Sequence, residues 1–373
     1  MKQIQLFVSL LVISTGLVLS TRATAQPLNY IYRNGEEGFN CYRIPAIVCT
    51  NRGTLLAFAE GRKNGCGDAG GVDIVVKRSE DGGKTWSKPE VVAADGENTC
   101  GNPTPVVDRL TGRIFLLSTW NLGTDTEPQI VDGTSRDTRR VFVRYSTDDG
   151  RTWSPGKDIT SEVKKADWTW YATGPGNGIQ MLSGRFKGRL VVPCDHITAK
   201  TKKYYSHVIL SDDGGKTWKL GGTTPEDKVN ECAVAEIAGG RLVLNMRSYG
   251  PVRARQTAVS ADGGMTWSHQ RVDTALVEPI CEGSLASYRK KEGEWVLAFA
   301  NPASPVAREN FTVRLSYDGG RSWTGKCSVY KGPSGYSDLA VLPDGRIASL
   351  FEAGVKSAYE GIVFKVLSPS DFK

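Results

Sequence analysis

Ser79-Glu80-Asp81-Gly82-Gly83-Lys84-Thr85-Trp86 follows the β-rich run Val72-Asp73-Ile74-Val75-Val76, and its pattern, S-x-D-x-G-x-[ST]-W, returns four more times. The further copies are Ser146 to Trp153, Ser211 to Trp218, Ser260 to Trp267 and Ser316 to Trp323, at spacings of 67, 65, 49 and 56 residues. The Asp-x-Gly core has hairpin-turn chemistry: a carboxylate that accepts backbone N–H bonds, and a glycine free to take φ > 0. The tryptophan that leaves the turn has an apolar body to bury. A repeat of this regularity outranks every other signal, because a missed period misassigns the whole fold.

Between the octapeptides lies a second repeat, in which paired strand-like runs are joined by glycine turns such as Ala238-Gly239-Gly240-Arg241 and Pro343-Asp344-Gly345-Arg346. Its six copies run from Arg43 to Glu60, Gly101 to Trp120, Gly174 to Asp195, Glu231 to Ser248, Cys281 to Asn301 and Tyr336 to Glu352. Five are followed by another strand and the octapeptide turn, which fits an all-β, six-bladed β-propeller with four antiparallel strands per blade. The sixth unit runs instead into Ile362 to Leu367, and a strand near Tyr30-Ile31-Tyr32 is expected to complete it and close the ring. Sustained 3.6-residue periodicity is absent, so helices should be few. A β-sandwich is the competing architecture, but it handles six equal units poorly.

The chain opens with Lys2, a mostly apolar run from Ile4 to Leu19, and Ala23-Thr24-Ala25. That is the order of a secretory signal peptide, so residues 1–25 are read as a leader and 26–373 as one propeller domain, exported to the periplasm or secreted. The run is short for a membrane span, though an uncleaved anchor is the alternative. Without the leader, 45 basic residues face 40 acidic ones. A net charge of +5 suits an anionic substrate and, with no basic tract, does not indicate nucleic acid. The eight cysteines permit disulfides in an exported chain, but no C-x-x-C spacing suggests zinc or redox chemistry. Buried free thiols are an equal reading.

Propeller sites form on the axis, where the first strands of successive blades bring their ends together, so the residues opening each hairpin unit matter most. These are unusually charged: Arg43 in Tyr42-Arg43-Ile44-Pro45, Glu231 in Asn230-Glu231-Cys232, Glu282 in Cys281-Glu282-Gly283, and Tyr336 in Gly335-Tyr336-Ser337-Asp338. Arg62, Asp68, Arg247, Arg308 and Glu352 follow just after hairpins. Several arginines beside carboxylates inside a ring are costly without a function, and they imply an anionic ligand. The five octapeptide aspartates are assigned to the fold, because five equivalent turns cannot converge on one substrate.

The Tyr-Arg-Ile-Pro element, the octapeptides (Asp-boxes) and the ordered Arg, Asp, Glu, Arg, Arg, Tyr series together resemble the sialidase (neuraminidase) family over about Tyr30 to Leu367. The resemblance implies an exo-α-sialidase acting on sialylated glycoconjugates. It assigns a carboxylate-binding triad to Arg43, Arg247 and Arg308, a task suited to planar guanidinium groups. Arg314 competes with Arg308 and is expected to face outward. Glu352 matches the acid that orients the first arginine; a surface carboxylate is its bland reading. Tyr336 would be the nucleophile with Glu231 as its general base, the tyrosine exception to the two-carboxylate glycosidase scheme. A neutral phenol avoids the repulsion a carboxylate would meet at an anomeric carbon that itself bears a carboxylate. Asp68, on the glycine-rich loop Asn64 to Gly70, matches the acid/base residue, with partial desolvation expected to keep it protonated. Asp73 competes for that role, although its alternating strand position favours the fold. Arg62 resembles the arginine near the sugar's 4-hydroxyl, or is a surface residue. Tyr171, in Trp168-Thr169-Trp170-Tyr171, is a candidate wall for the acetamido group. Hydrolysis with retention through a glycosyl-tyrosine follows.

Other signals are discounted. Gly65-x-Gly67-x-x-Gly70 copies a dinucleotide fingerprint but opens no helix. Asn310-Phe311-Thr312 is a glycosylation sequon by pattern only. His196, His207 and His269 have no ligand spacing, so neither a metal, a cofactor nor a Ser-His-Asp triad is expected. A non-catalytic sialic-acid-binding propeller, or an intramolecular trans-sialidase, would share most of these residues; Tyr336, Glu231 and Asp68 together favour an enzyme. A monomer without a mature membrane span is expected.

Overall fold

Strands dominate the chain because its apolar runs are four to nine residues long and rich in β-branched and aromatic residues, too short for buried helices. The structure, a computed structural model, describes residues 28–290 and 293–373; the leader read at residues 1–25 lies outside them. Helix among the described residues is confined to Glu127–Asp132, Thr160–Val163 and the 3-10 turn Pro369–Asp371.

The strands pair as antiparallel runs of four. The first run is Cys41–Cys49, Leu55–Arg62, Val72–Ser79 and Glu90–Ala93, and the second is Thr99–Val107, Ile114–Asn121, Arg140–Ser146 and Lys157–Asp158. A third, Trp168–Thr173, Leu190–Thr198, Tyr204–Ser211 and Lys219–Thr223, precedes a fourth, Val229–Ile237, Arg241–Ser248, Ala254–Ser260 and Arg271–Val277. The fifth is Ser284–Arg289, Trp295–Pro302, Glu309–Ser316 and the beginning of the long strand Gly325–Val341. The end of that strand opens the sixth, with Ile347–Ala353, Gly361–Leu367 and Tyr30–Arg33. The N-terminal strand therefore pairs where the sequence placed it. The third hairpin does not begin at Gly174: its first strand is Trp168–Thr173, and Gly174-Pro175-Gly176, with two positive-φ glycines, forms the turn after it.

The cores lie in the seams between consecutive runs. Ala46, Leu56 and Phe58 of the first meet Val107 and Leu116 of the second, and Val106 and Phe115 of the second meet Val192 and Ile209 of the third. The last run shares a core with the first, through Ala340, Leu350 and Phe364 against Ile47, Ala57 and Val75. Each Asp-box is a clasp on such a seam. Trp86 packs edge-on to Phe364, Trp153 to Phe58 and Trp218 to Phe115, in each case a residue of the preceding run. Trp267 donates its indole N–H to the Gly222 carbonyl at 3.0 Å, and Trp323 donates to Asp273 at 3.1 Å.

Within the box the aspartate holds the turn. Asp213 Oδ1 accepts from Lys216 N, Thr217 N and Ser211 Oγ at 2.9–3.0 Å, and Oδ2 from Thr217 Oγ1 at 2.6 Å. Slight burial would raise its carboxyl, but the Thr217 bonds and then Ser211 outweigh it and bring it down to about 2. A depressed carboxylate contributes stability above the ordinary aspartate range near 3.9, and that contribution is lost as pH falls towards 2. Asp213→Ala is expected to destabilise by about 1–2 kcal/mol at neutral pH, discounted for the exposed turn. A thermal melt at pH 7 and at pH 2.5 checks this: the variant's deficit should shrink at the lower pH.

Candidate active site

The first strands of five runs break register: between Arg43 and Ala46, Gly101 and Thr104, Trp168 and Tyr171, Val229 and Cys232, and Ser334 and Ser337. A bulge re-aims the side chains next to it. Here Arg43, Asn102, Trp170, Glu231 and Tyr336 turn out of the cores into one cavity of about 320 Å³. Ile44 (φ 56°) and Asn102 (φ 53°) take left-handed backbone to do so, a strained choice for β-branched isoleucine. The freed N–H groups end on buried carboxylates: Ile44 N on Glu352 Oε1 at 3.0 Å, Tyr336 N on Glu352 Oε2 at 3.1 Å, and Asn102 N on Glu60 Oε1 at 2.7 Å. Gly335 is required at its position, since a Cβ there would collide with the Glu352 carboxylate.

Tyr336 Oη donates to Glu231 Oε1 at 2.6 Å and accepts from Arg247 Nη1 at 2.9 Å. The same Nη1 meets Glu231 Oε2 at 2.6 Å. Burial first, and then the negative Glu231, push the phenol well above the ordinary tyrosine value, with Arg247 opposing. A neutral phenol bonded to a carboxylate has an acceptor in place for its proton, the arrangement that nucleophilic attack by the oxygen requires. The guanidinium groups of Arg43 and Arg308 each stand 5.4 Å from the centre of the Tyr336 ring.

The charges of the cavity are unevenly matched. Arg43 Nε bonds Glu352 at 2.7 Å, and Arg62 is held by Glu60 at 2.6 Å and Asp68 at 2.7 Å. Arg308 meets only neutral acceptors among the described residues, Tyr359 Oη at 2.6 Å and the Ile280 carbonyl at 3.4 Å. Arg139 bonds Asn102 and Thr119 and stacks on Trp170, 4.0 Å from its ring centre. Two cations without a carboxylate partner therefore face the same space, and they favour an anion there. Asp195 contributes the reverse: fully buried, with neither oxygen hydrogen-bonded among the described residues, its carboxyl is pushed well up by burial and then by Glu231.

Of the residues given a catalytic or substrate-binding role from the sequence, Arg43, Arg62, Asp68, Glu231, Arg247, Arg308 and Tyr336 line this cavity. Glu352 lies beneath it, wholly buried rather than at the surface. Asp68 departs from expectation in its ionisation. Burial would raise it, but Arg62 and then Arg43, whose Nη1 is 3.8 Å away, outweigh burial and hold the carboxyl below its usual range. Its side chain is 70% exposed, so desolvation is too weak to keep it protonated against the two arginines. The loop that carries it is tied to the Arg43 strand by a Cys41–Cys66 disulfide, a pairing the scattered cysteines did not reveal.

Tyr171 is not a cavity wall. It is fully buried and bonds His207 Nε2 at 3.1 Å, because the register break between Trp168 and Tyr171 sends Trp170, not its neighbour, to the cavity. His196 and His207, distant in sequence reading, meet at 3.1 Å between ring nitrogens on paired strands. Arg314 does not face outward: it is buried, 8% exposed, away from the cavity. Asp73 pairs with Lys63 at 3.0 Å and stays out of the site. The sequence reading missed Tyr359, Arg139, Glu60 and Asp195. For Asp195 a signal was present, a lone charge directly after the apolar run Leu190 to Cys194; Tyr359 sits on a loop whose position only the fold determines.

An all-β chain of repeated four-strand units turns arginines, carboxylates and a buried phenol into one cavity, which has the charge arrangement of a site for a small anion. The BNR repeat-like domain family matches residues 53–348. The sialidase of Bacteroides fragilis is 34% identical over 342 residues, covering 86% of this chain, and human sialidase-3 is 31% identical over 399, covering 91%. The chain spans 61% of the Bacteroides fragilis protein's length and 91% of the human one's. The solved structure of Hadza microbial sialidase Hz136 superposes with a TM-score of 0.83 at 30% identity, covering 91% of this chain and 68% of that one. The chain belongs to the sialidase family.

Proposed function

We propose that this protein is an exo-α-sialidase that releases terminal α-linked sialic acid from glycoproteins, glycolipids and oligosaccharides, with retention at the anomeric carbon. One observation carries the reading: Tyr336 Oη lies 2.6 Å from Glu231 in the same cavity as the guanidinium groups of Arg43, Arg247 and Arg308. The arginines take the sugar carboxylate, with Glu352 fixing Arg43. Tyr336 attacks the anomeric carbon as Glu231 withdraws the phenolic proton, forming a tyrosyl glycoside that water then cleaves. Asp68 protonates the leaving oxygen. Its ion pair with Arg62 and Arg43 weakens when the substrate carboxylate engages Arg43, which lets Asp68 take up the proton it needs.

The six seam cores, with the last run packed on the first, support a closed six-bladed propeller, its cavity at one mouth of the axis. Residues 26–373 are then one domain, exported after removal of residues 1–25 and acting as a monomer. Among the described residues no helix is long and apolar enough to cross a membrane.

The test is hydrolysis of an aryl sialoside and of sialyllactose by wild type and Asp68→Ala, with the released sugar followed by proton NMR. Wild type is expected to release the α-anomer first. Asp68→Ala should lose roughly 10²-fold or more on sialyllactose, and much less on the aryl substrate, whose leaving group needs no acid. First release of the β-anomer would overturn the mechanism, an internal-transfer product would indicate a trans-sialidase, and saturable binding without turnover a lectin.

A further inference from the structure

The bulge that projects Tyr336 removes two donors from the strand ladder. Tyr336 N is taken by Glu352, and the next, Ser337 N, by Glu282 Oε2 at 2.9 Å. The two carboxyls are differently placed. Glu352 is matched by Arg43, whereas Glu282, 1% exposed, has no cation within ion-pair distance among the described residues, and its Oε1 meets no donor there. Arg255, the cation nearest in influence, is committed to Glu278 at 2.7 Å, Asn245 at 2.6 Å and the Cys281 carbonyl at 2.6 Å. The other charged groups bearing on Glu282 are Glu231 and Asp338, both of like sign. A second link joins the same two segments, Ser284 Oγ to Ser337 Oγ at 2.9 Å.

We propose that Glu282 is a positioning residue for Tyr336: a buried carboxyl that anchors the bulged backbone through Ser337 N–H and so aims the phenol at Glu231. The proposal rests on the reading of Tyr336 as the nucleophile. A buried carboxylate without a cation is costly, and burial raises Glu282 well above the carboxylate range, against the opposing Ser337 N–H and Arg255. Burial favours the neutral acid there, and in either form Oε2 accepts from an amide N–H as a glutamine side chain does. Without it Ser337 N–H is buried and orphaned, and the bulge loses its reason to hold one geometry.

Glu282→Gln and Glu282→Leu, with Glu282→Ala as a smaller replacement should leucine not fold, are compared in the full chain. The readouts are kcat and KM on an aryl sialoside, the melting temperature, and hydrogen exchange at the Ser337 amide. Glutamine is expected to keep kcat within threefold and the amide protected. Leucine or alanine is expected to lower kcat ten- to a hundredfold at nearly constant KM and to speed exchange at Ser337. The proposal is overturned if glutamine is as damaging as leucine, or if leucine lowers only the melting temperature. Absence of turnover by wild type sinks the sialidase reading instead, and exchange at Ser337 still decides the anchor.

Discussion

Tyr336→Phe is expected to lower kcat by roughly 10³-fold or more while KM changes by less than about fivefold. The substitution removes one oxygen. With it go the 2.6 Å bond to Glu231 and the 2.9 Å bond from Arg247, but not the ring on which Arg43 and Arg308 lean at 5.4 Å. Glu231 stays neutralised by Arg247, so no buried charge is stranded and the fold should hold. Residual activity would come from water attacking in place of the phenol while the arginines and Asp68 still act. Such a route inverts the anomeric centre, so the first product of the variant should be the opposite anomer. A kcat within tenfold of wild type would remove Tyr336 from the chemistry.

Arg247→Ala should be costlier still in kcat/KM, by roughly 10³- to 10⁴-fold. Arg247 is largely covered, bonded to Glu231 and Tyr336 at once, and on the proposed mechanism it also holds the substrate carboxylate; each charge-assisted bond lost is worth about 1.5–3 kcal/mol. KM should rise, because the anion loses a guanidinium, and kcat should fall, because Glu231 loses the cation that balances it. Arg247→Lys is expected to recover part of the loss in KM and little of the loss in kcat, since one ammonium cannot serve Glu231, Tyr336 and the substrate in the plane a guanidinium spans. Steady-state kinetics on an aryl sialoside checks the split. A change confined to KM would show that Arg247 binds substrate without tuning the nucleophile pair.

The all-β class, the five box turns and the antiparallel four-strand units were legible in the amino-acid order, since each depends on contacts a few residues apart. Asp81, Asp148, Asp213, Asp262 and Asp318 all close their turns with the following backbone, whatever surrounds them. Charged residues at the openings of apolar strands marked Arg43 and Glu231, because a charge in such a run needs an explanation the strand itself does not supply, whereas Tyr336 took its role from the family resemblance. The ionisation of these groups was not legible. Asp68 is held low because Arg62 and Arg43 reach it across a loop. The Cys41–Cys66 pairing, the approach of Tyr359 to Arg43 and Arg308, and the choice of Trp170 over Tyr171 for the cavity all depend on register breaks in strands far apart in the chain. Local sequence thus determined which turns and strands form and which polar residues stand at their ends. Which of them meet, and in what charge state, the tertiary structure decided, because proton affinities and pairings are set by neighbours that only the packed cores bring within a few ångströms.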